Sequence, residues 1–241
     1  MNRSIIIAGK EFTVGCPVVT YLDQNGYSFY KKEQRFNPHQ DNFDELQNRI
    51  QHFVIHHSVT YTAKETYTGL IARGLSVNFM IDDDCDSDGL ATIYQCLDVK
   101  DGGWSQKPFN NLGPGVEICY HPEAWKNEDL YSDLKVKSNN ACHHETTTDI
   151  IHGQKLKCFQ PTKAQVASLI LLLGAFCHAF PKIKPEFPKN ENGYIKTAIN
   201  NLENYFGLLN HYNITKEKID AIGLDLAYIE EAVKQLVSLK V

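Results

Sequence analysis

The sequence predicts a single α/β domain, with a mixed central β-sheet flanked by helices. Three observations predict it. The chain has 241 residues, 42% hydrophobic and 22% charged, which suits one globular core and excludes collagen, coiled coil and disorder. Short apolar runs at 53–55, 76–81, 91–96 and 115–120 are bounded by polar or turn residues, as strands are. Thr62 and Thr162 each stand three residues before a Glu or Gln, a pattern that opens helices among and after those strands.

Taken in order, Ser4 to Ala8 is a strand in a turn-rich N-terminal extension, residues 1–45, expected to pack on the domain formed by 46–241. Phe53-Val54-Ile55, flanked by His52 and His56, reads as a buried strand. Thr62 with Glu65 opens a helix that ends near Gly74. Ser76 to Ile81 and Ala91 to Cys96 are strands joined by the acidic turn MIDDDCDSDG. Asp84, Asp86, Asp88 and Gly89 invite a calcium-loop reading, but Gln95 stands where a bidentate Glu is required. The segment therefore reads as a solvated hairpin turn.

Gly115 to Tyr120 is the next strand, and the polar residues 121–160 read as an irregular insertion. Thr162 with Gln165 then opens a helix bearing Val166, Leu169, Ile170, Leu173, Phe176, Cys177 and Phe180 at helical spacing. It is capped and short for a membrane span, so it reads as a core helix. Pro181, Pro185 and Pro188 force a loop. Tyr194 to Phe206 is expected to be helical, with Ile195, Ile199, Leu202 and Phe206 on one face. A final helix, Leu224 to Leu239, turns Leu226, Ile229, Val233 and Leu236 inward.

A net charge of −5 argues against duplex nucleic acid and acidic membranes as partners. Seven cysteines, odd in number, irregularly spaced and without a C-x-x-C, read as reduced thiols. The N-terminal MNRSIIIAGKEF is too short an apolar run for a secretory signal, so cytoplasmic synthesis is expected, as a monomer.

Several residues could carry chemistry. Adjacent strand residues face opposite sides, so only one of His56 and His57 serves a given pocket. His211 follows Leu208-Leu209-Asn210, and Asp220 lies nine residues on. Two histidines and one carboxylate make a catalytic zinc set, because three protein ligands leave a fourth position open. Each residue also has a plain alternative, a core histidine or a helix-capping Asp, and spacing alone does not choose. Glu117 faces away from Val116 and Ile118, where a charge needs either a partner or an exposed edge. Lys218, in a Lys-Glu-Lys run, reads by itself as a solvated charge. Cys142, His143, His144, His152 and Cys158 offer a second donor set, but the spacing is no standard finger and the surroundings are polar loop. His39, His52, His121 and His178 belong to no constellation.

The stretches FVIHHSVT, SVNFMID, NLGPGVEICY and HYNITKEKID occur in this order. Together they resemble the type-2 N-acetylmuramoyl-L-alanine amidases over residues 50–235. That superfamily includes the phage amidase lysozymes and the peptidoglycan recognition proteins. The resemblance implies that His56, His211 and Asp220 hold one catalytic Zn2+. Asn210 replaces the Gly that usually precedes the second histidine, and Tyr212-Asn213 depart from the common Gly-His-Ser-Asp run. An acid as third ligand resembles the bacterial enzymes. Glu117 matches their catalytic Glu, and Val77 stands where the phage branch has a Tyr. Lys218 matches a position that assists the oxyanion. Trp104 in DGGWSQKP and Asn78 are expected to contact substrate.

The implied activity is zinc-dependent hydrolysis of the amide between N-acetylmuramic acid and L-Ala, on peptidoglycan or muropeptides. A phage endolysin and a wall-recycling enzyme both fit it. The alternatives are a non-catalytic peptidoglycan-binding module and a virion or secretion-machine component built on the same fold.

Overall fold

The computed structural model describes residues 2–31, 36–131 and 143–239. It opens with a hairpin of β1 (Ser4–Ile7) and β2 (Lys10–Thr13). Ala8 and Gly9 both take positive φ there, the backbone a two-residue hairpin turn needs. Next come β3 (Val18–Thr20), β4 (Phe36–Asn37) and α1 (Phe43–Arg49), which Asn42 and Glu45 close with a capping box. Then follow β5 (His52–His57), α2 (Ala63–Ala72), β6 (Phe79–Ile81), β7 (Ile93–Gln95), β8 (Gly102–Gly103) and β9 (Gly115–Ile118).

The C-terminal half contains β10 (Thr146–Ile151), β11 (Gln154–Phe159), α3 (Lys163–Ala179), β12 (Lys189–Asn190), β13 (Gly193–Tyr194), β14 (Gly207–Asn210) and α4 (Leu226–Ser238). No helix among the described residues is long and apolar enough to cross a membrane.

Six strands form the central mixed sheet in the order β14-β5-β9-β6-β7-β3. The first four run parallel, β7 is antiparallel to β6, and β3 is parallel to β7. Parallel strands need both faces covered. One face lays Phe53, Ile55, Phe79, Ile81, Val116, Ile118 and Leu208 into the main core, which α3 and α4 close with Leu169, Leu173, Phe176, Ile229 and Val233. The other face meets α2, where Ala63 and Leu70 pack with Val77, Met80 and Cys119. The acidic turn is a hairpin connection between β6 and β7. Asp84 accepts from the Thr92 N–H and hydroxyl, and Asp86 accepts from the N–H of Asp88 and Leu90.

Both threonine caps are present. Thr162 and Gln165 bond reciprocally. Thr62 accepts from the Glu65 N–H, while the Glu65 carboxylate reaches one residue further back, to the Tyr61 N–H.

Two sequence expectations are corrected. The part of 121–160 expected to be irregular contains a regular hairpin, β10 against β11, paired from Thr146↔Phe159 to Ile151↔Gln154. His152 and Gly153 turn it with positive φ, and Ile151 and Cys158 bury against Tyr212 and Ile222. The expected helix over 194–206 is absent, apart from one 3-10 turn at Leu202–Asn204. Asn201 adopts φ 58°, which breaks a helix, and nearby backbone groups bond to a distant residue. Asn213 Nδ2 donates to Ile195 O (2.8 Å) and Thr197 O (3.2 Å), and the Ile199 N–H donates to Asn213 O (3.0 Å). Of the expected apolar face, Ile199 and Leu202 pack on Val54 and Leu209, joined there by Tyr205, without a helix.

Candidate active site

The parallel register pairs His56 on β5 with Glu117 on β9, so their side chains leave the same face of the sheet. β14 lies on the other side of β5, and its last residue, Asn210, aligns with Ile55. The chain then turns through one 3-10 turn, His211–Asn213. The Asn210 N–H donates to Asn213 Oδ1, and Asn210 Nδ2 donates to the Tyr212 hydroxyl. Residues 210 and 212–213, which depart from the common run, thus build the turn that presents His211.

Three ligand atoms converge. His56 Nδ1 lies 3.0 Å from His211 Nδ1 and 3.0 Å from Asp220 Oδ2, and His211 Nδ1 lies 2.9 Å from Asp220 Oδ2. Among the described residues this is the one group of three His, Cys, Asp or Glu able to hold a metal ion. Hydrogen bonds cannot satisfy all three edges of that triangle. If both Nδ1 atoms donate to the carboxylate, two N–H groups oppose each other; if one does not, a lone pair opposes its neighbour. A cation at the centre makes every contact favourable. Three donors about 2.0–2.1 Å from a tetrahedral zinc stand about 3.3 Å apart, close to the observed edges. The donor set therefore fits zinc.

The charges agree with that fit. Burial and the adjacent His211 ring hold His56 below the usual imidazole range, despite Asp220. Burial works against ionised Asp220, yet its contacts with His211 and His56 overcome this and hold it well below the usual carboxylate range. His57 turns elsewhere: its ring packs on Tyr120, and Nδ1 accepts from the Ile222 N–H at 3.4 Å.

The triangle forms part of the wall of a groove of about 930 Å³, whose lining also includes Thr60, Arg73, Trp104, Lys107, Glu117 and Lys218. Glu117 is 8% exposed, and its Oε2 has no hydrogen-bond partner in the protein. Burial first, then the charge of Asp220, pushes its carboxyl up to about 8, with Arg73 and Lys218 pulling the other way. Lys218 is exposed on the groove wall, and Trp104 is anchored by its backbone N–H to Ser76 Oγ.

Asn78 is not brought to the groove. It is fully buried, its Nδ2 donates to Asp98 O and Asp101 O, and its Oδ1 accepts from the Gly115 N–H. Its role is to tie loops to the sheet, which corrects the expectation of substrate contact. Arg73, the residue that caps the C-terminus of α2, carries no sequence signal and reads as an ordinary surface cation.

Among the described residues, the second donor set does not gather. Cys142 lies outside the described residues. His144 stacks on Tyr131 and bonds Gln160 O, His152 bonds Thr197 and Lys218, His143 is exposed, and Cys158 is buried in an apolar cluster. The six described cysteines are free thiols.

Fold and site together define an α/β domain with a His-His-Asp group able to hold a metal beside a buried carboxyl, in an open groove. Residues 46–221 match the N-acetylmuramoyl-L-alanine amidase family, and the chain belongs to that family. Solved structures similar to it include the Escherichia coli N-acetylmuramyl-L-alanine amidase AmiD in complex with anhydro-N-acetylmuramic acid-L-Ala-D-gamma-Glu-L-Lys. That likeness has 13% identity and a TM-score of 0.39, covering 76% of this chain but only 55% of AmiD. The Staphylococcus aureus hydrolase AmiA with its ligand is similar at 11% identity and a TM-score of 0.48, over 93% of this chain and 83% of AmiA. A complex of the peptidoglycan recognition proteins LCa and LCx with tracheal cytotoxin is similar at 11% identity and a TM-score of 0.42, over 89% and 95%. No curated protein matches the chain.

Proposed function

We propose that this chain is an active zinc-dependent amidase that cleaves the bond between N-acetylmuramic acid and the L-Ala of the stem peptide, in peptidoglycan or soluble muropeptides. The observation that carries it is the convergence of three ligand atoms beside a buried, unpaired carboxyl, in a chain of the amidase family. His56, His211 and Asp220 would hold the ion. Zinc there supplies Lewis-acid polarisation of the scissile carbonyl and makes water more acidic.

This chain's own groups do the rest. Glu117 takes a proton from the attacking water and delivers it to the leaving amine nitrogen as the C–N bond breaks. A carboxyl pushed up towards neutrality suits both halves of that task better than an ordinary one. Lys218, exposed on the groove wall, offers its ammonium to the negative charge that develops on the carbonyl oxygen. Trp104 gives the wall a flat face for a sugar ring or stem peptide.

The test is mass spectrometry of purified peptidoglycan after digestion, with and without a zinc chelator. Free stem peptides beginning at L-Ala, lost on chelation and restored by zinc, are expected. Intact muropeptides in the presence of stoichiometric bound zinc would refute catalysis and leave a binding module.

A further inference from the structure

The buried polar atoms around Gly115 say how His56 is oriented, a point that rests on the metal-holding role of that histidine. His56 Nδ1 faces His211 and Asp220. For that atom to offer a lone pair, the ring proton must sit on Nε2. Nε2 is buried, and a buried N–H without an acceptor is unfavourable. Two other buried atoms nearby also lack a hydrogen bond of ordinary geometry, Gln106 Oε1 and Ser105 Oγ.

All three converge on one point. A methyl built on Gly115 would lie 3.3 Å from His56 Nε2, 2.9 Å from Gln106 Oε1 and 3.3 Å from Ser105 Oγ. Gly115 is therefore glycine for space: any side chain would be wedged between the imidazole and the amide. The Gln106 side chain cannot turn over. It is 1% exposed, its Nε2 donates to Gly113 O at 2.8 Å, and its backbone N–H donates to Asn110 Oδ1 at 2.9 Å. The Gly113 and Phe109 carbonyls, which accept from Nε2, set which end of the amide is oxygen.

We propose that Gln106 is a positioning residue, which accepts the Nε2–H of His56 and so holds the ring in the tautomer whose Nδ1 lone pair faces the metal site. Ser105 lines the same small space, and Gly115 keeps it open. Partners behind a ligating histidine of this kind set ring angle and ligand basicity.

The experiment uses the full chain labelled with 15N-histidine, studied by NMR with and without zinc, together with zinc affinity by chelator competition. Zinc-loaded wild type is expected to hold His56 as the Nε2–H tautomer, with slow exchange of that proton. Gln106→Leu is expected to weaken zinc binding about 10- to 100-fold and to speed exchange at Nε2. Gln106→Glu, which keeps an acceptor at the same reach, is expected to recover most of the affinity. Three results overturn the proposal: an Nε2 proton that exchanges as fast in zinc-loaded wild type as in zinc-loaded Gln106→Leu, unchanged affinity in Gln106→Leu, or a Gln106→Glu variant no better than Gln106→Leu. A wild-type chain that binds no zinc would instead refute the metal reading of the site.

Discussion

Strands β5 and β9 have two faces built from alternating residues of the same two segments, and the faces do opposite things. The face towards α3 carries Phe53, Ile55, Val116 and Ile118, all fully buried and apolar. The other carries His52, His56 and Glu117, also buried, and it holds polar atoms without protein partners: both ring nitrogens of His52 and Glu117 Oε2. Buried polar groups are normally paired, so unpaired Glu117 in the groove wall stands out as a candidate for chemistry, whereas His52, packed away from the groove, is a plain cost in stability. The apolar side supplies the rigidity that keeps those groups in place.

The largest effect expected from disturbing this contrast is on turnover. Glu117→Gln should lower the rate of stem-peptide release about 10²- to 10⁴-fold while leaving bound zinc near wild type, measured by digestion assay alongside metal analysis. Near-normal turnover in that variant would remove Glu117 from the mechanism. On the opposite face, Phe53→Ala should cost about 3–5 kcal/mol in denaturant unfolding, because Phe53 is enclosed by Phe79 and Phe176. Its turnover per folded molecule should stay close to wild type; a large loss would show that the two faces are not separable.

Stability should move the other way at Glu117. In the unfolded chain its carboxyl ionises near 4.5, but in the folded chain only near 8. Stability is therefore lost as pH rises through that window, and Glu117→Gln escapes the loss. The zinc-free variant should be more stable than zinc-free wild type at pH 9 by a few kcal/mol, at about 1.4 kcal/mol per pKa unit, and no more stable below pH 4.5. Thermal melts at pH 4 and pH 9 check this.

A smaller effect is expected at His52, which sits between Phe109 and Tyr205 with its pKa lowered by burial to about 4. The unfolded chain takes up this proton from pH 6.5 downward and the folded chain only near 4, so stability falls as pH falls between the two. His52→Phe should be stabilising by up to about 2–3 kcal/mol at pH 4–5, with the gain shrinking above pH 6.5. Equal gains at pH 5 and pH 8 would point to packing instead of protonation.

Local signals were read well where local physics decides. The Thr162–Gln165 capping box and the apolar spacing of α3 are a contiguous pattern, and the helix forms where the pattern lies. The turn at His152-Gly153 was a local signal too, but it stood within a polar stretch, and its hairpin acquires a core only by meeting Tyr212 and Ile222. Tyr194 to Phe206 has helical spacing without a helix, because Asn213 and the wall formed by Val54 and Leu209 bind that segment in an irregular form. Gln106 and Ser105 carry no sequence signal, since a Ser-Gln pair in a loop is ordinary and matters only for what it faces.

By itself, the sequence determined which residues can ligate or move a proton. It also put Glu117 on the opposite side of its strand from Val116 and Ile118, because side-chain alternation is a property of any extended chain. Tertiary structure alone decided that His56, His211 and Asp220 meet within 3.0 Å, with His211 and Asp220 standing 155 and 164 positions after His56 in the chain. It also decided that Asn78 serves the framework and that a glycine leaves room for Gln106 behind His56. These are distances between strands and loops remote in the chain, set by sheet order and register, and no spacing along the sequence encodes them.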